Sequence, residues 1–180
     1  MGTRGLPLLA TTFVFACCST GYAQTPVSLT DTSQSTTLTA NVSEQARVTV
    51  PSGVTFNVAD VGSATAATAA SVSVSGIVLA TATKQFKVSL QANAATFTAP
   101  GGATTWSASD VTWNAAAWTN ATGALGTLSN SSYNAVATCA ADAADCSTNA
   151  LVFTLGAKNT VKRSGNHQLT VTWKFESIGS

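Results

Sequence analysis

The sequence predicts an all-β protein folded as an antiparallel β-sandwich. Short runs of alternating apolar and polar residues recur along the chain, which is the pattern of strands with one buried face. Clusters of Gly, Pro, Asn and Ser separate these runs and supply turns. No segment keeps a 3.6-residue apolar period for three turns, so the sequence predicts no amphipathic helix.

The first predicted strands are short and weakly patterned. Leu38, Ala40 and Val42 share one face of the earliest run, and Gly76 interrupts a later run where a bulge or kink would explain it. We expect the run at 95–98 to pair with the run at 85–92. The predicted strands cover residues 37–43, 46–50, 54–57, 71–79, 85–92, 95–98, 110–113, 134–138, 150–155 and 168–176.

Three of these runs predict most of the core. Residues 85–92 alternate cleanly, and residues 150–155 are apolar enough to predict burial on both faces. The last run has the strongest alternation, which predicts a buried apolar face with Trp173 in the core. The residues of that face are Leu169, Val171, Trp173 and Phe175.

The N-terminus has the three-part layout of a secretory signal peptide. Arg4 supplies a positive start, residues 6–18 are mostly apolar, and Gly21 and Ala23 are small residues at a cleavage site. We therefore predict a signal peptide over 1–23, a flexible arm over 24–35 and one β-sandwich domain over 36–180. The expected location is secreted, extracellular or on the cell surface, with the periplasm as an alternative. A competing interpretation treats residues 14–17 as a lipoprotein cleavage box, which would leave Cys17 lipidated.

Charge is sparse throughout the chain. Only 8% of residues are charged, and the Lys and Arg residues form no basic patch of the kind that nucleic-acid binding requires. No apolar stretch after the signal approaches membrane-spanning length. So few charges give little electrostatic resistance to self-association, which favours a packed or polymeric state.

Two cysteines remain after the signal, Cys139 and Cys146, and an even pair in an oxidising compartment predicts a disulfide. Two cysteines without a nearby histidine make a poor zinc site. We therefore predict no metal and no cofactor.

The sequence predicts no catalytic site. Its one histidine, His167, lies beside a predicted turn and is interpreted as a surface turn residue, and no nucleophile-elbow motif occurs. Asp142 and Asp145 are the only acidic residues close together. They predict a solvated loop, with a weak cation site as the alternative. The chain is accordingly expected to be a non-enzyme.

Tryptophans cluster within residues 106–118, and the cluster has two interpretations. Trp106, Trp113 and Trp118 could form a stacking platform for sugar rings, with Asn114 and Asn120 bonding to hydroxyl groups. Alternatively they pack in the core or an interface, where large aromatic side chains bury most area. Both interpretations stay open at this point.

The C-terminal region carries a resemblance. The turn at 164–167, which leads into the alternating run at 168–173, resembles the last hairpin of secreted bacterial immunoglobulin-like domains. The layout of residues 36–178 is similar to that of bacterial surface and pilin-type subunits. The resemblance implies an immunoglobulin-like β-sandwich and a cell-surface role.

Two functions are consistent with these observations. The favoured one is a non-catalytic structural subunit of an extracellular filament, coat or matrix, which self-associates or joins other surface subunits. Its N-terminal arm would add as a strand to a neighbour's sheet, with Leu38, Ala40 and Val42 as assembly residues. The alternative is an adhesin or carbohydrate-binding module that binds glycans through the Trp106–Trp118 region.

Overall fold

The computed structural model describes residue 33, residues 35–102 and residues 104–179. The predicted signal peptide, Cys17 and most of the predicted arm lie outside the described residues. The chain divides into two compact units, Met1–Ala40 and Asn41–Ser180. The described residues of the first unit belong to no helix or strand, and every strand described below lies in the second.

The second unit is all-β, which confirms the predicted class. Among the described residues, every paired strand is antiparallel to its partner, and helical structure is limited to two three-residue 3-10 turns, Pro100–Gly102 and Ala108–Asp110. Neither turn approaches the length or apolar character of a membrane-crossing helix. The strands are β1 (Gln45–Thr49), β2 (Thr65–Ala66), β3 (Ala70–Val78), β4 (Gln85–Ala92), β5 (Val111–Trp113), β6 (Ala121–Gly123), β7 (Gly126–Thr127), β8 (Asn134–Cys139), β9 (Asp145–Leu151), β10 (Phe153–Leu155) and β11 (Val171–Ile178).

The described strands form three sheets, with orders β1-β3-β9, β2-β10-β5-β7 and β11-β4-β8-β6. The first two sheets lie end to end, because β9 and β10 are separated only by Val152. Beside this junction the N–H of Ala67 donates to the carbonyl oxygen of Phe153 at 2.8 Å. The run predicted at 150–155 is therefore divided between two sheets.

One core cluster draws on all three sheets. Strand alternation explains its membership, because Val72 and Val74 of β3 are buried while the serines at 71, 73 and 75 are exposed. Apolar residues of β4 and β8 complete it from the third sheet. The most deeply buried large side chains are Leu90, Leu151, Val72, Val74, Val88 and Val136.

Gly76 forms the bulge that the sequence predicts. Gln45 of β1 pairs with Val78 and Arg47 pairs with Ser75, so β3 carries one extra residue between these pairs. Gly76 has φ of 58°, a left-handed conformation that glycine adopts without a Cβ penalty.

Cys139 and Cys146 are completely buried and form the predicted disulfide, with Cα atoms 5.9 Å apart. Because β8 and β9 belong to different sheets, the bond joins two sheets where the chain passes between them. Closing so short a loop contributes about 2–3 kcal/mol in the chain-entropy description.

Three predicted strands are wrong. Residues 37–43 and 54–57 form no strand, and Leu38 is 91% exposed. Residues 95–98 do not pair with β4 and instead make single bridges, Thr96 to Ser107 and Thr98 to Gln168. These runs have the alternation of strands but form no continuous ladder with another strand among the described residues, because alternation alone does not supply a partner.

The predicted burial of the apolar face of β11 is met only in part, since Leu169 and Trp173 pack against the core cluster but the other two residues do not. Val171 is 38% exposed and Phe175 is 36% exposed, and Leu169 and Trp173 are only partly buried. β11 pairs with β4 along its whole length, but it is the terminal strand of its sheet. Its apolar face therefore lies at the margin of the core, where less protein covers it.

Candidate functional site

An open apolar groove of about 1170 Å³ lies between β11 and residues 51–58, and we call it the edge groove. Apolar side chains from both borders and from the loops behind them line most of it, and the loop at 162–170 adds polar side chains with Lys162 and Arg163. Its principal apolar residues are Val54, Phe56, Phe97, Trp106, Val171 and Trp173.

The first border is the outer edge of β11. β4 occupies the other edge, so among the described residues the outer N–H and C=O groups of β11 pair with no strand. A free strand edge is a template for pairing with a further strand. Val171 and Trp173 of this strand line the edge groove.

The second border, residues 51–58, has the burial pattern of a strand without its ladder. Val54, Phe56 and Val58 are half-buried and line the edge groove, whereas Thr55 and Asn57 are exposed. Within the described chain, the backbone groups of 51–58 belong to no strand ladder and make no backbone hydrogen bond. Both borders of the edge groove therefore carry backbone donors and acceptors that a further strand could use.

Trp106 forms the floor of the edge groove and is 5% exposed. Its Nε1–H donates to the carbonyl oxygen of Gly156 at 2.9 Å. Its ring meets Phe97 and His167 edge to face, with centroids 6.4 and 5.2 Å apart. These contacts fix the indole, so the floor is rigid and apolar.

An ion pair holds the turn that follows Trp106. Lys158 Nζ lies 2.7 Å from Asp110 Oδ2, and the same carboxylate oxygen accepts a hydrogen bond from the Ser107 N–H at 2.7 Å. Partial burial alone would raise the pKa of Asp110, but the hydrogen bonds from Lys158 and Ser107 outweigh it and lower that pKa below its ordinary value of 3.8.

The sequence predicts that His167 is a surface turn residue. In the structure it is half-buried and lines the edge groove. Its Nδ1 lies 2.7 Å from Thr105 Oγ1, and its Nε2 lies 3.1 Å from the carbonyl oxygen of Arg163. Both ring nitrogens therefore have partners, and the imidazole holds the loop before β11 against Trp106.

The three clustered tryptophans do not share one exposed surface. Trp113 is 3% exposed, and its Nε1–H donates to the carbonyl oxygen of Ala124 at 3.0 Å. Trp118 is half-buried and packs beside Gly123. The burial of Trp106 and Trp113 favours the packing interpretation, and glycan binding stays a prediction.

The two asparagines have local partners. Asn114 bridges the gap between β9 and β10, donating to the carbonyl oxygen of Ala150 at 3.1 Å and accepting from the Val152 N–H at 2.8 Å. Asn120 has φ of 52° and donates to Asp145 Oδ1 at 3.0 Å. Each side-chain amide therefore stabilises the local backbone or loop through these hydrogen bonds.

The acidic residues of the disulfide loop form no metal site in the structure. Asp145 is exposed and accepts the hydrogen bond from Asn120, and Asp142 is exposed in the preceding turn. Among the described residues, no group of three His, Cys, Asp or Glu side chains comes together in a way that could hold a metal ion.

The three predicted assembly residues are exposed. Leu38 is 91% exposed, Val42 is 71% exposed, and Ala40 between them is also exposed. Glu44 follows them and anchors the chain, since its Oε1 accepts hydrogen bonds from the Ala80 N–H at 2.7 Å and Lys84 Nζ at 3.0 Å. These bonds, led by that from Ala80, lower the pKa of Glu44.

The sequence does not by itself reveal the edge groove or its second border as a site. The available signal is the alternation at 54–57, which predicts a strand but does not show that the strand lacks a partner. Comparison with protein-family models, curated proteins and solved structures gives no match for this chain.

Proposed function

We propose that this chain is a non-catalytic, secreted structural subunit of an extracellular filament, coat or matrix. It self-associates or joins other surface subunits by strand addition through the N-terminal arm. The observation that carries the proposal is the edge groove, an apolar groove with unpaired backbone on both borders. Such a surface favours association because an added strand satisfies backbone groups and covers apolar area together.

Two finer features belong to the same proposal. The domain is an immunoglobulin-like β-sandwich, supported by the antiparallel sheets that share one core. The signal peptide over 1–23 is cleaved on export, and the buried disulfide is compatible with an oxidising compartment. The low content of charged residues, 8%, supports self-association, because few charges are present to oppose it.

Immunogold electron microscopy on producing cells tests the proposal, with antibody raised against residues 24–180. Gold along fibres or over a continuous coat is the expected result. Multi-angle light scattering on the protein recovered from the cell surface should show masses well above that of one chain. A diffuse label together with a monomeric mass at all concentrations would overturn the proposal.

A further inference from the structure

We propose that the edge groove receives residues 36–42 of a second copy of this chain. The segment enters as a strand between β11 and residues 51–58, with Leu38, Ala40 and Val42 directed into the groove. The inference rests on the proposed function, for which it names the acceptor surface and the partner.

The backbone supplies the first argument. The outer edge of β11 and the backbone of residues 51–58 both lack strand partners within the described chain, and both border one groove. Unpaired backbone groups at an apolar surface are costly to cover unless a partner bonds to them. A single inserted strand offers N–H and C=O groups on both of its edges, so it can satisfy both borders at once.

The side chains supply the second argument. Leu38 and Val42 are 91% and 71% exposed, although they are large and apolar. Together with Ala40 they recur every second residue, so all three fall on one face once the segment is extended. The residues between them, Thr39 and Asn41, are polar and suit the solvent side.

Charge and length supply the third argument. Residues 35–43 contain no charged side chain, so the segment brings no ion of its own into the groove. Lys162 and Arg163 belong to the loop that lines the groove and are exposed, so the segment meets no anion or cation on the apolar side. On the β11 side the groove is lined by residues 164–171 and Trp173, a border long enough for an insert spanning 36–42. The groove floor, formed by Trp106 and Phe97, is apolar where the inserted side chains would lie.

Cysteine cross-linking tests the arrangement with the full secreted chain. One preparation carries Thr39→Cys on the solvent side of the segment, and the other carries Thr170→Cys, Thr172→Cys or Lys174→Cys, three exposed positions along β11 and its approach. We expect one of the three mixtures to give a disulfide-linked dimer under mild oxidation. The chain without added cysteines and a Leu125→Cys variant, altered where the side chain is 77% exposed and remote from the groove lining, should give none.

A chain that carries both cysteines distinguishes a second copy from the same copy. Dimers and higher oligomers are expected when the cross-linked material is separated by mass. A cross-linked product of one-chain mass alone, at high as well as low concentration, would overturn the assignment to a second copy.

A matched pair of charge variants gives an independent readout. Leu38→Asp places a charge on the groove side of the segment, and Thr39→Asp places one on the solvent side. Both positions are exposed, so both variants should fold normally. We expect at least a tenfold loss of assembled mass for Leu38→Asp and little change for Thr39→Asp.

A synthetic peptide of residues 35–43 separates this inference from the proposed function. The peptide should bind the Leu38→Asp chain and change the fluorescence of Trp106 and Trp173, whereas a peptide with Leu38→Asp should not. Normal assembly of Leu38→Asp without peptide binding would overturn the groove assignment and leave the assembly proposal standing. Peptide binding by the Leu38→Asp chain, together with a parent chain that itself never assembles, would overturn the assembly proposal and leave the groove assignment standing.

Discussion

Lys158 and Asp110 form an ion pair of 2.7 Å behind the floor of the edge groove. The pair links the 3-10 turn Ala108–Asp110 to the segment that bonds the Trp106 indole through Gly156. Both side chains are about one quarter exposed, so solvent screens the attraction only in part. The turn that follows Trp106 is therefore held in part by the negative charge of Asp110, which protonation at low pH removes.

Asp110→Asn should reduce stability at neutral pH by about 1–2 kcal/mol, because hydrogen bonds to a charged partner are lost. The pKa of Asp110 is lowered in the folded state, so its contribution is present above its ordinary pKa of 3.8 and is lost as pH falls through the folded value. Urea unfolding at several pH values should show the difference between the parent and the variant shrinking below about pH 4. A constant difference across that range would contradict this. Asp142→Asn, at an exposed position, controls for the loss of one negative charge.

Trp106→Ala and Trp113→Ala should each lower the free energy of unfolding by about 3–5 kcal/mol, because each removes a buried aromatic side chain. Trp118→Ala should cost less, since Trp118 is only half-buried. Thermal unfolding and a glycan-binding screen on each folded variant separate packing from recognition. Loss of glycan binding with unchanged stability in Trp106→Ala would revive the carbohydrate-binding alternative.

Ser89→Ala should raise stability by about 1 kcal/mol. Ser89 is completely buried in the middle of β4, and its Oγ has no hydrogen-bond partner among the described residues. Removing an unsatisfied buried hydroxyl avoids its desolvation cost. Denaturant unfolding measures the effect, with Ser73→Ala at an exposed position of β3 as the control for the change in strand propensity. A destabilised Ser89→Ala would show that the hydroxyl does find a partner.

Gly126→Ala should destabilise the fold by about 1–3 kcal/mol through overpacking. A Cβ at Gly126 would overlap the ring of Trp113, whereas a Cβ at Gly53 would meet nothing within 4 Å. Gly53→Ala is therefore the matched control and should be close to neutral. Equal melting temperatures for the two variants would mean that the Trp113 ring moves aside at little cost.

Local alternation is enough to predict several elements. The sequence predicts β4 with the bounds it has, and β1, β5 and β8 within a residue or two, because each has an adjacent strand to pair with. The bulge at Gly76 is predictable as well, since a glycine between two alternating halves of one strand is typical of a bulge.

The remaining errors concern partners, not patterns. The run predicted at 54–57 has the in-and-out burial of a strand but belongs to no strand ladder among the described residues, and β11 has the predicted alternation but a partly exposed apolar face. Whether an alternating run is paired or buried depends on residues far away in the chain, which local periodicity does not contain. The edge groove could not be predicted for the same reason, because it is bordered by two runs that have no strand partner on that side among the described residues.

The pairing of β11 with β4 constrains the order in which the strands of this sheet can pair during folding. β4 and β11 lie far apart in the sequence, and they pair continuously from Val171–Ala92 to Ile178–Gln85. That side of β4 thus stays unpaired until β11 has been synthesised. Contacts so distant in sequence slow folding, because the intervening chain must be ordered before they form. The sheet β11-β4-β8-β6 is therefore complete only when β11 joins β4.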